Sequence, residues 1–270
     1  MSSAFHDLHA PGRLLILPNA WDAGSARLIE DCGASAIATT SAGLAWARGY
    51  PDGNALPVPV LVTAIAEITR VVRVPVSADI EGGYAGEAAA VGETVARVID
   101  AGAVGINLED GQESPELLCA KIEAARRAAS RAGAPLFVNA RIDTYLRALV
   151  PPEQAVEETI RRAARYRAAG CDGIFVPRAT KHDDVHAIVA AIAPLPLNLL
   201  AVPGLAAAAD LRTWGVRRLS AGSAIAAAAL GITRDLTSQF LEHGRSDALF
   251  NDPIEYGRMN ALLSARAAVP

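Results

Sequence analysis

Short apolar runs recur along the whole chain, and segments with helical periodicity separate most of them. The runs are rich in β-branched residues and leucine, which is typical of strands buried on both faces of a parallel sheet. The pattern predicts eight strands, at Leu14–Leu17, Ser35–Thr39, Val74–Ala78, Val104–Leu108, Leu136–Ala140, Gly173–Val176, Leu197–Ala201 and Arg217–Ala221.

The segments between these strands predict helices that end in the same way. The clearest are Ala23–Cys32, Glu87–Ala101, Pro115–Ala132, Pro152–Ala169 and Asp183–Ile192. A glycine follows several helix ends, where it can adopt the left-handed conformation that stops a helix before the next strand. Eight βα units of this kind predict a (β/α)₈ barrel of the TIM type, with a doubly wound open sheet as the alternative.

The 270 residues are expected to form a single barrel domain, because no linker or break in composition divides them. From about residue 231 the chain adds a C-terminal helical extension that ends in an alanine-rich tail near Asn260–Val269. We expect these extra helices to pack against a partner subunit.

Composition and charge exclude several classes of function. Hydrophobic residues make up 51% and aromatic residues only 5%, so small aliphatic side chains fill the core, and a net charge of −4 gives no case for nucleic acid or an anionic membrane. Ala187–Ala209 carries no charge, but Pro194, Pro196 and Pro203 interrupt it, so it is interpreted as a helix end, a strand and a helix start. Three dispersed cysteines and an N-terminus without a signal pattern predict a cytoplasmic protein.

Acidic and basic residues stand where three of the predicted strands end. Asp79 and Glu81 follow the third strand, Glu109 the fourth and Arg141 the fifth. Strand side chains alternate, so Asp79 and Glu81 project to one side, and barrel active sites lie at the carboxyl ends of the strands. The set predicts Mg²⁺, with Mn²⁺ as an alternative, bound by Asp79, Glu81 and Glu109 beside an anionic ligand of Arg141.

Each of these assignments has a structural alternative. Asp79 and Glu81 could be solvated acids of a surface turn, and Glu109 with Asp110 could be a charge pair at a helix start. Arg141 could be an ion-pair partner of Asp143 or Glu109.

Other chemistries find few candidates in this chain. Only two lysines are present, Lys121 and Lys181, and neither is predicted to point inward at a strand end, so Schiff-base catalysis is not expected. No cysteine is placed as a nucleophile, and only His182 lies on an upper loop, so a histidine triad or zinc site is poorly supported.

Carboxylates and one arginine suggest a reaction of a 2-oxo acid. The metal would polarise the 2-oxo group, and Arg141 would bind the carboxylate with its planar fork. Amides and the hydroxyl at Ser41–Leu44 could hold the oxyanion of an enolate. Asn107 and Asn198 are further candidates for substrate binding, although Asn198 could instead satisfy backbone groups in its apolar strand.

These motifs resemble the isocitrate lyase / phosphoenolpyruvate mutase superfamily over nearly the whole barrel. The resemblance rests on Thr40-Ser41-Ala42-Gly43-Leu44, Asp79-Ile80-Glu81-Gly82-Gly83-Tyr84, Leu108-Glu109-Asp110 and Ala140-Arg141-Ile142 in that order. It implies substrate binding by Ser41, Gly43 and Leu44, a catalytic role for Ser41, Arg141 and the loop residue Asp52, and Mg²⁺-dependent cleavage or formation of C–C or P–C bonds. It also implies a homo-oligomer, often a tetramer that exchanges C-terminal helices.

Two departures from the family pattern narrow the expected reaction. The gating loop that carries a cysteine in isocitrate and methylisocitrate lyases is absent, since the chain passes from Asp110 to Pro115 and enters a helix. Glu81 also replaces an aspartate. We therefore expect a lyase that acts on a small 2-oxo or related acid, with decarboxylation as one form of the reaction. The alternatives are a metabolite-binding relative without catalysis and a phosphoester-binding barrel isomerase, suggested by Gly204 and Gly222.

Overall fold

The computed structural model describes residues 2–264 and contains one sheet of nine parallel strands wrapped into a barrel. The strands are β1 (Leu15–Leu17), β2 (Asn19–Ala20), β3 (Ile37–Thr39), β4 (Val76–Asp79), β5 (Gly105–Glu109), β6 (Phe137–Arg141), β7 (Gly173–Phe175), β8 (Leu197–Leu200) and β9 (Arg218–Ser220). All eight predicted strands are present, and the (β/α)₈ barrel is confirmed over the open sheet.

Strands β1 and β2 are two halves of one barrel strand, interrupted at Pro18. β1 pairs with β9 at one edge of the sheet and β2 pairs with β3 at the other, so the ring closes across the proline. Pro18 has no N–H to donate, but its carbonyl accepts a hydrogen bond from the Ala38 amide at 3.1 Å. The first strand therefore extends further than the predicted Leu14–Leu17. With β1 and β2 counted as one strand, the barrel has eight strands.

Helices alternate with the strands and cover most of the barrel. They are α1 (Ser2–Asp7), α2 (Ala23–Asp31), α3 (Ser41–Trp46), α4 (Val58–Val71), α5 (Ala88–Asp100), α6 (Pro115–Arg131), α7 (Ala155–Ala168), α8 (His182–Ile192), α9 (Ala208–Thr213), α10 (Ala224–His243) and α11 (Tyr256–Ser264). The five predicted helices are present as α2 and α5–α8. The glycines that follow α2, α5, α6, α7 and α9 have φ between +60° and +103°, as the helix-ending role requires.

The uncharged segment 187–209 contains the end of α8, strand β8 and the start of α9, as interpreted from its prolines. Among residues 2–264, no helix is both long and apolar enough to cross a membrane.

Helix α1 closes the amino-terminal end of the barrel. The ring of Phe5 meets that of Phe137 edge-on at 5.5 Å, and the ring of His9 stacks on Phe137 at 4.2 Å. A side chain at Gly105 would place its Cβ 2.8 Å from Phe5 Cε1, so Phe5 of helix α1 can pack here only because that position is glycine. The closed end is apolar, and it leaves the carboxyl ends of the strands as the open mouth.

The outer wall of the barrel is incompletely covered beside β1. Ile16 points outward from β1 and remains 58% exposed, although helices cover such positions around the rest of the ring. A groove of about 1050 Å³ runs there between α2 and α9, with Leu28, Ile29 and Ala208 among its walls. Helix α10 does not fill this groove, and of its side chains only Ala226 is buried.

Helix α10 spans residue 231, near which the C-terminal extension is predicted to begin, and that boundary stays a prediction. A 3₁₀ helix at Asp247–Phe250 and helix α11 follow, and α11 returns to the barrel, where Arg27 Nε donates to the Leu262 carbonyl at 3.0 Å. The predicted tail at Asn260–Val269 is helical as far as Ser264, and its remainder lies outside the described residues.

The buried ring of His9 should make the fold sensitive to acid. Burial lowers the pKa of His9 from 6.5 to about 3. Between these values the unfolded chain binds a proton that the native state excludes, so the unfolding free energy falls as pH drops below 6.5, by about 1.4 kcal/mol per unit from this residue.

We expect His9→Phe, which keeps a ring against Phe137, to flatten the loss of unfolding free energy between pH 6.5 and pH 5. Urea unfolding at several pH values measures this slope. His186→Phe, at an exposed position of α8, is the matched control. Equal slopes for His9→Phe and the unsubstituted protein would contradict the prediction.

Candidate active site

Asp79 ends β4 at the open mouth and is tied to the neighbouring strand end. Its Oδ2 atom accepts a hydrogen bond from the Ser41 amide at 3.1 Å, and its own amide donates to Thr39 Oγ1 at 2.8 Å. The Ser41 amide belongs to the first turn of α3, where it has no partner within the helix. Asp79 and Ser41, predicted as metal ligand and catalytic residue, are thus brought together, and Oδ1 of Asp79 faces no hydrogen-bond donor among residues 2–264.

Glu81 lies two residues further on and joins two loops. Its Oε1 accepts from the Tyr84 hydroxyl at 2.8 Å, and its Oε2 accepts from the Asn54 amide. Glu81, Tyr84 and Asn54 all have positive φ, between +49° and +62°. Non-glycine residues seldom adopt this conformation, and such strain concentrates at functional sites. Burial raises the pKa of the Glu81 carboxyl.

Asp52 lies on the same loop as Asn54 and is exposed. Its charge is close enough to add to the rise in the pKa of Glu81, after the larger effect of burial. The structure thus places Asp52 at the rim of the mouth, and its catalytic role remains a prediction.

Arg141 is held between two carboxylates. Its Nε and Nη2 donate to the two oxygens of Asp143 at 2.7 and 3.0 Å, and its Nη1 lies 2.6 Å from Glu109 Oε2. The ion-pair alternative weighed for Arg141 is therefore observed with both acids. These contacts use three of the five guanidinium N–H groups and leave two for a ligand.

Glu109 combines burial with this ion pair. Burial raises the pKa of Glu109 to about 8, Arg141 opposes the rise, and the charges of Asp79, Asp143 and Glu81 add to it. A positive charge entering the mouth would favour the ionised form. Glu109 is thus a carboxyl whose protonation responds to what binds beside it.

Asp110, next to Glu109, has a structural role. Its Oδ1 accepts from the Asp143 amide at 2.9 Å, and its Oδ2 accepts from Arg162 Nη1 at 2.8 Å and the Tyr166 hydroxyl at 2.7 Å. Arg162 and Tyr166 are buried residues of α7 that the sequence analysis missed. Their four-residue spacing places them on one face of the helix, and Glu158 lies one turn earlier on the same face, where it pairs with Arg162. This spacing of polar residues, four apart, is the signal that could have identified them.

Below the mouth, a chain of polar side chains crosses the barrel interior. Asn139 Nδ2 donates to Asn107 Oδ1 at 2.9 Å and to Asn198 Oδ1 at 3.0 Å, and Arg218 Nη2 donates to Asn107 Oδ1 at 3.1 Å. Asn198 Nδ2 in turn donates to Ser220 Oγ at 3.1 Å. All five side chains are buried.

This chain bears on two of the predicted substrate-binding residues. Asn198 also donates to the Leu199 carbonyl at 2.6 Å, so it satisfies backbone groups, as its structural alternative proposed. Asn107 and Asn198 support the mouth from beneath, and direct contact with substrate remains a prediction for both. Arg218 was not singled out from the sequence, because an arginine in a short strand gives no sign that it points inward.

Gly43 and Leu44 are packed into the wall of the site. A Cβ at Gly43 would lie 2.7 Å from Thr40 Cγ2 and 2.8 Å from Trp21 Cβ, so close packing of α3 requires glycine here. The Leu44 side chain is fully buried, and its amide donates to the Thr40 carbonyl at 2.9 Å. The predicted contacts of these two residues with substrate stay predictions.

The carboxylates at the mouth do not form a closed metal cage. Among residues 2–264, no group of three or more His, Cys, Asp or Glu side chains is arranged to hold a metal ion. In the predicted cluster of Asp79, Glu81 and Glu109, two carboxylates already have partners. Glu81 accepts hydrogen bonds from the Asn54 amide and the Tyr84 hydroxyl, and Glu109 pairs with Arg141. The free oxygen of Asp79 still fits Mg²⁺, which keeps several waters and needs only one or two carboxylates from the protein.

The network at Asp110 generates a prediction about stability. Asp110→Ala would leave the buried Tyr166 hydroxyl and the Asp143 amide without their acceptor, and Arg162 would keep only its ion pair with Glu158, so we expect a loss of about 3 kcal/mol of unfolding free energy. Urea unfolding would measure the loss. Glu113→Ala, at an exposed position of the following loop, should change it by less than about 0.5 kcal/mol. Equal effects of the two substitutions would refute the structural role of Asp110.

Comparison with known proteins places this geometry in a family. The family model described as phosphoenolpyruvate phosphomutase matches residues 5–241. An uncharacterized protein of Mycobacterium tuberculosis is 41% identical over 224 residues, 82% of each chain. An oxaloacetate decarboxylase of Pseudomonas entomophila is 30% identical over 260 residues, 91% of this chain and 87% of the relative.

A solved structure shares the fold as well. The phosphonopyruvate hydrolase complex with oxalate and Mg²⁺ superposes with a TM-score of 0.85 at 26% identity, and the match covers 98% of this chain and 95% of that one. With the matched family model and the site described above, these similarities show that the chain belongs to the phosphoenolpyruvate mutase family of the isocitrate lyase / phosphoenolpyruvate mutase superfamily.

Proposed function

We propose that this protein is a Mg²⁺-dependent carbon–carbon lyase that acts on a small 2-oxo acid through an enolate, with decarboxylation as one form of the reaction. One observation carries the proposal: Arg141 is fixed by Glu109 and Asp143 with two N–H groups to spare, at the same mouth as Asp79. The oxaloacetate decarboxylase relative and the hydrolase complex with oxalate and Mg²⁺ support this choice of ligand.

Asp79 would hold the metal directly, with Glu81 and Glu109 contributing through water. When bound, Mg²⁺ or Mn²⁺ would supply Lewis-acid polarisation of the 2-oxo group. Arg141 would bind the carboxylate of the substrate and hold it in one orientation, because both of its edges are already anchored. Ser41 would orient the substrate from the opposite side, and Asp52 would act from the loop that Asn54 ties to Glu81.

The short loop after β5 argues against cleavage of isocitrate. Strand β5 ends at Glu109 and α6 begins at Pro115, so residues 110–114 form the entire connection. No thiol stands in that segment to act as an acid. A reaction of a smaller acid agrees better with this mouth.

A phosphoester-binding isomerase is disfavoured by the closure of the barrel. The amides of Ala221 and Gly222, at the end of β9, donate to Asn19 Oδ1 at 2.9 and 2.8 Å. Phosphate sites in such barrels use amides of this kind. Here the two amides are instead hydrogen-bonded to Asn19, where the first and last strands of the barrel meet.

The deciding experiment screens 2-oxo and 2-hydroxy diacids for release of CO₂ or pyruvate, with Mg²⁺, with Mn²⁺ and with EDTA. We expect turnover of one acid that EDTA abolishes and that falls at least about 100-fold in Asp79→Ala, because the metal loses its direct ligand. Arg141→Lys should lower kcat/KM about tenfold or more, since a lysine cannot make the forked contact.

Glu113→Ala is the control for both variants. Turnover that persists in EDTA or in Asp79→Ala would overturn the proposal. Calorimetric binding of a 2-oxo acid without any turnover would instead favour a metabolite-binding relative.

We also infer that the protein is a homo-oligomer, with a tetramer as the state implied by the resemblance. Helix α10 exposes Leu230 at 52%, Ile232 at 62% and Leu241 at 79%, while the groove beside Ile16 lacks a covering helix. An amphipathic helix from a second copy would bury both surfaces.

Light scattering should therefore give a mass close to four times the 28.0 kDa of the chain. Ile232→Asp should shift the mass downward, because a charge at the buried contact opposes association. Arg234→Gln, at an exposed position of the same helix, should leave it unchanged. A monomer in the unsubstituted protein would exclude this assembly.

A further inference from the structure

Arg218 crosses the interior of the barrel from one wall to the other. With β1 and β2 counted as one strand, β9 and β5 are four strands apart in either direction around the ring, so they face each other. The side chain of Arg218 on β9 is 1% exposed, and its Nη2 atom donates to Oδ1 of Asn107 on β5 at 3.1 Å. A single buried side chain thus joins opposite walls beneath the mouth.

This arginine has few partners for a buried charge. Its Nε and Nη1 atoms have no hydrogen-bond partner, and it forms no ion pair with any residue from 2 to 264. Burial lowers the pKa of Arg218 to about 9, and the charge of Asp79 opposes that fall, so the guanidinium is charged at neutral pH. A charge so poorly compensated is costly to bury. Stability therefore does not explain why an arginine stands here.

The guanidinium has only donors, and this fixes the orientation of the Asn107 amide. The Asn107 atom that meets Arg218 is the oxygen, because two donors cannot share a hydrogen bond. Asn139 Nδ2 donates to the same oxygen at 2.9 Å and to Asn198 Oδ1 at 3.0 Å. Asn198 Nδ2 donates in turn to the Leu199 carbonyl at 2.6 Å. Donor-only and acceptor-only groups at the two ends thus set the direction of the whole chain of amides.

The NH₂ group of Asn107 remains available to a ligand. Nδ2 donates to nothing among residues 2–264, yet it is not one of the unpartnered polar atoms that are closed off from solvent there. Helix α1 closes the amino-terminal end of the barrel with Phe5, so this atom reaches solvent through the mouth. Asn107 also stands in register with Asp79, the proposed metal ligand. An unused hydrogen-bond donor therefore lies at the base of the mouth, on the strand beside Asp79.

The orientation of this amide decides which charge the base of the mouth attracts. With its oxygen toward the mouth, Asn107 would repel an anion and would be a ligand for a hard cation. With its NH₂ group there, it donates to the oxygen of an anion. A donor that is already fixed in place costs no reorganisation when negative charge develops. Two hydrogen bonds to the amide oxygen, from Arg218 and Asn139, keep the Asn107 amide from turning.

We propose that Arg218 is a positioning residue that holds the Asn107 NH₂ group toward the mouth, as a hydrogen-bond donor to the oxyanion of the enolate. This inference rests on the proposed function and deepens it. Asn107 touches the ligand, whereas Arg218 acts through Asn107 and adds its charge from below. Arg141 binds the carboxylate, so Asn107 and Arg141 contact different oxygens of one ligand.

Oxalate tests the inference without any need for turnover, because it is a planar dianion that resembles the enolate of a small 2-oxo acid. Calorimetry at saturating Mg²⁺ would measure its affinity. We expect Arg218→Met and Asn107→Ser each to lower the affinity at least about tenfold, as for the loss of a hydrogen bond to a charged group. The double variant should bind less than about threefold more weakly than the weaker single variant, because Arg218 acts through Asn107.

Metal affinity separates this role from a general loss of structure. Binding of Mn²⁺ without oxalate, followed by the electron paramagnetic resonance signal of the free ion, should be unchanged or tighter in Arg218→Met, because a positive charge beneath Asp79 is removed. Arg218→Lys keeps a charged donor and should retain the oxalate affinity within about threefold. Arg127→Met, at an exposed position of α6, is the matched control, and melting temperatures would show that each variant is folded.

Three results would overturn the inference. The first is a loss in the double variant equal to the product of the two single losses, since Arg218 would then act independently of Asn107. The second is a parallel loss of oxalate and Mn²⁺ affinity in Arg218→Met, which would indicate a merely structural role. The third is full oxalate affinity in Asn107→Ser.

Turnover distinguishes this inference from the proposed function. If the oxalate affinities show the coupled losses but no 2-oxo acid is turned over, the positioning role in anion binding is confirmed and the proposed reaction fails. If a 2-oxo acid is turned over with Mg²⁺ and kcat is the same in Arg218→Met, the reaction stands and the positioning role fails.

Discussion

Charge balance around Asp143 governs the architecture of the mouth. This carboxylate is fully buried, so its charge must be met inside the fold, and Arg141 meets it with two parallel hydrogen bonds. Arg141 ends β6 and stands in register with Glu109 at the end of β5. Strand register therefore places Glu109 beside Arg141. Asp110, which is hydrogen-bonded to Arg162 and Tyr166 of α7, accepts from the Asp143 amide and so holds the start of the loop after β6.

The side chains inside the barrel change from apolar to charged along its axis, and the layers below the mouth support it. Phe5 and Phe137 close the amino-terminal end with apolar contacts, the asparagines around Asn139 form a hydrogen-bonded middle layer, and charged groups occupy the carboxyl end. The middle layer is buried and specific in its geometry, so it holds the strand ends in place. Arg218 adds a positive charge beneath the acids, and burial lowers its pKa to about 9.

The two ends of the chain complete the barrel in different ways. Helix α1 closes the amino-terminal end of the barrel, whereas α10 leaves the wall at β1 uncovered and exposes several large apolar side chains of its own. The uncovered wall and the exposed apolar side chains of α10 are the two surfaces on which the proposed oligomer depends.

The hydrophobic pattern by itself determined the order and the approximate position of the eight barrel strands, and it identified five of the helices, α2 and α5–α8, but not α3 and α4. Buried parallel strands and glycine-terminated helices are local properties, and they are legible in sequence. It also placed Asp79, Glu81, Glu109 and Arg141 at one mouth, because the carboxyl ends of parallel strands share an edge.

Only the tertiary structure decided what those side chains bind. The Glu81 carboxylate accepts hydrogen bonds from Asn54 and Tyr84, and Arg141 pairs with both Asp143 and Glu109. Two of the three predicted metal ligands thus already have partners within the protein, and their binding of a metal stays a prediction. These partners come from loops whose conformations depend on positive φ angles and long-range packing. Strand periodicity reports which way a residue points, whereas hydrogen bonds between distant segments exist only once the chain has folded.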